Sequence, residues 1–386
     1  MSVEPCHVCA ADALVEVAAY GAQQRVTSDC RPWRQGGRLA VCRACSTVQK
    51  VISPEWCEEA DAIYAGYQLY AQSATGAEQY SFDPSSGFGQ PRSTTILEAV
   101  AGHFDKTREA RFLDLGCGVG VTLRSVHALA PSWRLEGYDP NIKDRASLEA
   151  ISGVVGVHDG ALEGLTAGFD VISCFHVLEH IVSPRETLKK ARDLLSERGV
   201  LIVQVPYFHD NAFDLTIADH CSHFTPDTLA ALAASAGLEA RLLSVSVVRR
   251  EITLVAAKAE IRHLAPPDFQ AEFDLVTEAL SWLADVVETA KSVSHAKPLG
   301  IFGSSIAGVM AGAALDGAFD FFIDEDPTRV GAHHMGKPIL SPREVPAEAS
   351  ILVPLMPSIG LAVAGRLAGP LRTVVTTPRW REGAVG

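Results

Sequence analysis

The sequence predicts an α/β protein organised around a doubly wound parallel sheet. A small metal-binding module precedes that sheet, and a second, smaller strand–turn–helix unit follows it. Three observations carry this expectation. Two CxxC pairs, "CHVC" (Cys6, Cys9) and "CRAC" (Cys42, Cys45), lie within the first 45 residues. A strand, a glycine-rich turn and a helix succeed one another in "ARFLDLGCGVGVTLRSVHALA". The same order returns in "PLGIFGSSIAGVMAGAAL". Alternating strands and helices make parallel sheets, and ligands then sit at the carboxyl ends of the strands.

Composition bounds the rest. A chain of 386 residues is expected to form two or three domains. Its 47% hydrophobic and 20% charged residues are ordinary for a globular protein. The net charge of −13 and the lack of a Lys/Arg-rich block argue against a nucleic-acid partner, because phosphate binding needs a basic face. No apolar run approaches the ~20 residues of a spanning helix. The start, "MSVEPCHVCAAD", lacks the charged-then-apolar order of a secretory signal. A soluble, cytoplasmic chain with no membrane partner is expected.

Residues 1–58 form the predicted metal module. Each CxxC pair turns two thiolates toward one ion, and four sulfurs make a closed tetrahedral Zn²⁺ site. Cys6, Cys9, Cys42 and Cys45 are the expected ligands, with Cys30, Cys57 and His7 left out. Four reduced thiols in a small core, or a redox pair, are the competing readings. A closed site has no open position for catalysis, so the expected zinc is structural. Residues 59–105 are rich in tyrosine and then in Gly, Pro and Ser. Helical spacing brings Tyr64, Tyr67 and Tyr70 toward one face. They either pack between domains or cover a substrate. "SFDPSSGFGQPRS" is expected to be a linker.

Residues 106–260 hold the strongest signal. A strand runs into Asp114, and Gly116, Gly118 and Gly120 form the turn that lets a ligand approach the backbone. The run Asp-Leu-Gly-Cys-Gly-Val-Gly resembles motif I of class I S-adenosylmethionine (SAM) methyltransferases. Asp139 ends the second strand in "LEGYDPN", where a carboxylate can accept both ribose hydroxyls. "VGVHDG" puts Asp159 after a third strand, and the resemblance implies contact with the adenine amino group. "FDVISCFHVLEHI" is a fourth strand followed by an ending typical of the same enzymes. There the resemblance implies that Phe175 and His176 line the methionine end of the cofactor pocket, with His180 packed nearby. His176 and His180, four apart, would otherwise suggest metal. Glu179 is expected to stabilise its own turn. "RGVLIVQVP" is the fifth strand, ended by Pro206.

Residues 261–296 are expected to be a helical connector, and residues 297–386 a second Rossmann-like domain. Its glycine turn suits a phosphate, and a purely structural use of small residues is the alternative. The order of cysteine module, SAM domain and "GIFGSSIAG…FFIDEDPTRVG…KPILSPREVP" resembles the nucleotide-sugar C-methyltransferases. That family methylates a carbon beside the ketone of a nucleotide-linked sugar. The resemblance therefore implies a small-molecule substrate of this kind. The family carries a Tyr-x-Glu-His run after the fifth strand, which here falls on Ile217, Ala218, Asp219 and His220. The His is present, Glu has become Asp, and Ile217 has no hydroxyl. His220 is the implied base, since an imidazole can remove a carbon-bound proton at neutral pH. Asp219 is expected to orient or assist it. His223 and Ser222 are expected to contact substrate oxygens, and Tyr67 or Tyr70 to replace the missing phenol. The bland reading makes this stretch only the entry to the next helix, with Thr225 as N-cap and Pro226 at the first helical position. O-methylation of a sugar or other metabolite, RNA methylation and a non-catalytic scaffold are the competing functions.

Overall fold

A computed structural model describes residues 4–67, 80–83, 85–370 and 372–380. Its centre is a seven-stranded sheet. The strands are β1 (Arg111–Leu115), β2 (Arg134–Tyr138), β3 (Val154–His158), β4 (Phe169–Phe175), β5 (Leu195–Pro206), β6 (Leu238–Ser244) and β7 (Glu251–Lys258). They lie in the order β3-β2-β1-β4-β5-β7-β6. Successive side chains point to opposite faces, and both faces are covered. Phe112, Val171 and Ile202 join one core, while Leu113, Ile172 and Val203 join another. Burial on both sides explains why these strands are nearly unbroken apolar runs.

The expected all-parallel sheet is corrected at one edge. Strands β1 to β5 are parallel, but β7 runs antiparallel to both β5 and β6. Residues 245–250 are too short a link for a parallel crossover, which needs a dozen residues or more, so β6 turns straight back into β7.

The amino-terminal module is an antiparallel sheet of Leu14–Glu16, Leu39–Cys42 and Val48–Lys50, completed by Ser222–His223. Its last strand therefore comes from the central domain. The expected boundary at residue 58 also falls inside a helix, Pro54–Ala65, which is capped by Ser53 and packs Trp56 and Ala60 against Cys221. The expected linker after it is instead a hairpin, Tyr80–Phe82 with Gly89–Pro91, leading into helix Arg92–Ala99. Asp83 closes the hairpin by accepting the N–H groups of Ser85 and Ser86 at 3.1 and 2.9 Å.

The connector is a 24-residue helix, Phe269–Ser292, started by Asp268 accepting from the N–H groups of Gln270 and Ala271. Val276, Leu280, Leu283 and Val286 on it are buried in one core. Val26 and Tyr20 of the first module, Phe213 and Leu215 after β5, and Met310 near the carboxyl end complete that core. The helix thus binds three parts of the chain together. Beyond it, strands Leu299–Phe302, Phe321–Ile323, Lys337–Leu340, Ser350–Val353 and Thr373–Thr376 form a parallel sheet. A short antiparallel strand, His333–His334, borders its Lys337–Leu340 edge. Among the described residues no helix is long and apolar enough to cross a membrane.

Candidate functional site

The turn after β1 is built for close approach. Gly116, Gly118 and Gly120 all have positive φ, at 79°, 50° and 81°. That region is open to glycine and costly for other residues. Space excludes a side chain as well, since a Cβ on Gly116 would lie 2.2 Å from Val177 Cγ2. Asp139 at the end of β2 accepts from the Gly118 N–H at 3.1 Å and from the Asn141 N–H at 2.8 Å. One carboxylate therefore holds the turn and β2 together beside the expected ribose position. Asp114 is buried and accepts from Ser173 Oγ at 2.6 Å. Burial pushes its pKa up to about 7, against the pull of that hydrogen bond. Asp159 is exposed at the end of β3 and pairs with Arg145 at 2.7 Å. Phe175 ends β4, and His176 follows it with a positive φ of 55°. The His176 ring lies 3.3 Å from both Glu179 and Glu251. Its pKa is lowered to about 4, first by burial and then by the Arg92 charge. All eight expected cofactor residues thus border the carboxyl ends of β1 to β4.

Past β5 the chain folds back under the first module and collects a second group. Ile217 is buried, and its position bridges to Val26, while the Ala218 N–H donates to Val26 O at 2.8 Å. The departure from the family run is therefore filled by an apolar contact. Asp219 does not orient His220. Its carboxylate accepts from the Ser28 N–H at 2.9 Å and from Ser28 Oγ at 2.5 Å. The Ser28 hydroxyl also lies 3.3 Å from the Tyr67 hydroxyl. Tyr67 is so brought to the site, whereas Tyr70 lies outside the described residues.

The group that orients His220 is Asp214, which the sequence analysis missed. It is buried and sits between two imidazoles, 2.7 Å from His220 Nδ1 and 2.6 Å from His223 Nδ1. Burial alone would raise its pKa, but the two rings hold it well below the usual carboxylate range. An ionised carboxylate only accepts, so both Nδ1 atoms carry the proton. His220 Nε2, where the ring's second proton binds and leaves, has no hydrogen-bond partner among the described residues. Burial works against protonation of His220, yet Asp214 outweighs it and the pKa is raised.

Two expectations are corrected here. His223 cannot reach a substrate, because it is buried with Nδ1 on Asp214 and Nε2 2.8 Å from Lys50 Nζ. Ser222 is likewise buried, 2.8 Å from His7 Nε2. Glu179 spans its own turn, with Oε1 3.3 Å from His176 Nδ1. Both its oxygens are buried without a hydrogen bond among the described residues. Burial would raise the Glu179 pKa, but the His176 ring 3.3 Å away, followed by His180 and His220, lowers it. His180 stands edge-on to His220 at 4.6 Å between ring centres, with Nδ1 3.0 Å from the Tyr64 hydroxyl and 3.1 Å from Asp219 O.

The four expected zinc ligands converge. Cys6 and Cys45 sulfurs are 3.7 Å apart, as are those of Cys9 and Cys42. With Zn–S bonds of about 2.3 Å, a tetrahedron has an edge of roughly 3.8 Å, so this donor set fits the ion. Gln49 Nε2 donates to Cys6 Sγ at 2.9 Å, as a thiolate would require. Cys30 and Cys57 are not in the cluster, and His7 contacts Ser222 instead.

Comparison with known proteins agrees with the central geometry. Residues 92–243 match a family model described as a methyltransferase domain. The mitochondrial ubiquinone biosynthesis O-methyltransferase of Saccharomyces cerevisiae is 31% identical over 116 residues, which are 28% of this chain and 37% of that protein. The tRNA U34 carboxymethyltransferase of Campylobacter jejuni is 31% identical over 106 residues, 25% of this chain and 35% of that protein. The chain thus spans little more than a third of the length of these two relatives. The solved structure of the mitomycin 7-O-methyltransferase superposes with a TM-score of 0.40 at 16% identity, covering 53% of this chain and 60% of that one. Residues 92–243, which hold the glycine turn and Asp139, thus resemble a methyltransferase domain.

Proposed function

We propose that the chain transfers a methyl group from SAM to a carbon next to the ketone of a nucleotide-linked sugar, with His220 as the base. The observation that carries this reading is the Asp214–His220 pair at 2.7 Å, which engages Nδ1 and leaves Nε2 as the ring atom that can exchange a proton. A base of this kind suits removal of a carbon-bound proton. Bound SAM supplies an electrophilic methyl on sulfur. His220 takes the α-proton, and Asp214 stabilises the imidazolium that results. SAM held at the glycine turn and Asp139 would give its methyl to the electron pair left on that carbon and keep the S–CH3 electrons as S-adenosylhomocysteine. The Tyr67 hydroxyl, steadied by Ser28, stands in for the phenol that Ile217 lacks. Cys6, Cys9, Cys42 and Cys45 hold a structural zinc, and the carboxyl-terminal sheet is a Rossmann-like domain that carries the nucleotide end of the substrate.

O-methylation of a sugar or other small metabolite is the second reading, favoured by the name of the yeast relative. Incubation with SAM, SAM plus 4-keto nucleotide sugars, and their hydroxyl analogues separates the two. Mass and NMR of the product should place the methyl on carbon. The native protein should also exchange the substrate α-proton with deuterated water, and His220→Ala should not. A methyl found on oxygen, with no α-proton exchange, overturns the proposal in favour of the second reading.

A further inference from the structure

The amino-terminal module holds one side chain that zinc binding does not explain. Lys50 ends strand Val48–Lys50 and is 1% exposed. Buried lysines are rare because the charge is costly to desolvate. Its amino group reaches the stretch after β5. It donates to Leu215 O at 3.0 Å and to His223 Nε2 at 2.8 Å, and it lies 4.7 Å from the centre of the Tyr20 ring.

We infer that Lys50 is a positioning residue through which the amino-terminal module, by way of His223, holds Asp214 against His220; this rests on the reading of His220 as the base. An ammonium has three donors and no acceptor, so His223 must accept at Nε2. Its only ring proton is then on Nδ1, where it is donated to Asp214 Oδ2. With that oxygen engaged, Asp214 Oδ1 accepts from His220 Nδ1. Lys50 thus anchors the far side of His223, and His223 in turn fixes where Asp214 meets His220. Lys50 and His223 are also held in place by backbone, because His223 pairs with Val48 and Ser222 with Gln49.

The charges around the two ends agree with this order. Burial pushes the Lys50 pKa down to about 7; Asp214, Cys221 and Asp219 favour the charge, and Arg25 opposes it. Arg25 is itself paired with Glu59 at 2.8 Å. Asp214, Glu179 and Asp219 favour protonation of His220, while His176 and His180 on the same side compete with it. Removing the Lys50 charge frees His223 to take a proton. Two imidazolium rings would then share one carboxylate, and His220 would give up its proton more readily.

The test is histidine ring nitrogen NMR on the full zinc-loaded chain labelled with ¹⁵N-histidine. In the native protein near neutral pH, His223 should show Nδ1 protonated and Nε2 bare. In Lys50→Met, the His223 midpoint should rise, and the His220 midpoint should fall by about one pH unit, a tenfold change in proton affinity. A native His223 protonated at Nε2 overturns the inference, as does an unmoved His220 midpoint in folded Lys50→Met. If Lys50→Met does not fold, the native tautomer of His223 decides alone. Turnover retained by His220→Ala would remove the base assignment, whereas the ring signals report on the hydrogen-bond chain whether or not His220 is the base.

Discussion

Asp214→Asn strikes the proposed base at its most sensitive point. The substitution keeps the shape of the side chain and removes one charge. In the native site the two carboxylate oxygens lie 2.7 and 2.6 Å from His220 and His223. Opposite charges centred about 4 Å apart attract by about 4 kcal/mol at an effective dielectric of ~20. His220 gains that attraction only as it takes the proton. With about half of the charge developed in the transition state, about 2 kcal/mol is lost, or roughly 30-fold in rate. A second loss is geometric. An amide offers one accepting oxygen and one donating nitrogen, so it cannot accept from both rings. One imidazole must change tautomer, and if His220 does so its lone pair turns away from the substrate. The combined expectation is a fall of about 10²-fold, within the 10²–10⁴-fold that a general base supplies. Single-turnover methyl transfer across neutral pH, run beside α-proton exchange, measures it. The rising limb of the pH profile should move to lower pH, because the imidazolium loses its partner. An unchanged rate and an unmoved limb, in a variant that still melts cooperatively, would refute the reasoning.

Three other perturbations have definite outcomes. Gly116→Ala should weaken SAM binding by about tenfold or more in calorimetry, since backbone strain of this type costs roughly 1–3 kcal/mol and the new Cβ meets Val177 at 2.2 Å. Native affinity in that variant would remove the turn from the cofactor site. Metal analysis should find zinc bound at the cysteine cluster, and Cys45→Ser should lose it together with thermal stability, because structural zinc contributes folding energy. Stability should also fall in mild acid. Burial first and Lys50 second push the His223 pKa down to about 4, below the ~6.5 of the unfolded chain. The unfolded state therefore binds a proton that the folded state refuses, and this group removes up to about 3 kcal/mol as pH falls from about 6.5 to about 4. Urea midpoints that stay flat over that range would contradict it.

What the sequence disclosed follows the reach of each interaction. The glycine turn was legible because positive φ is a local demand that few residues meet. The four cysteines were legible because each pair needs only a tight turn. Helix Pro226–Ser235 was legible from its own cap, with Thr225 and Pro226 at the expected positions and Thr228 completing a capping box. Asp214 was not, because "FDLTIADH" gives no sign that one carboxylate six residues upstream will accept a hydrogen bond from His220. Its role depends on the loop folding back on the first module. Lys50 was hidden for the same reason, since a lysine at the end of a strand is ordinarily solvated. His223 and Ser222 were misread as substrate contacts because adjacency to His220 suggested a shared direction. In a strand neighbours alternate faces, and the ladder to Gln49 and Val48 turns both inward. The hairpin at 80–91 escaped because Gly, Pro and Ser mark turns without saying whether short strands flank them.

The borrowed strand has a consequence for how the protein is made. Lys50 meets His223 across a separation of 173 residues. At synthesis rates of ~5–20 residues per second, roughly ten to thirty seconds pass between the emergence of one and of the other. During that interval the cysteine module is outside the ribosome with its sheet one strand short, and its cysteines face oxidants and metals unaided. Early zinc capture would then act as a placeholder for the missing strand, and growth under zinc limitation should trap nascent chains at this stage before any mature enzyme is affected.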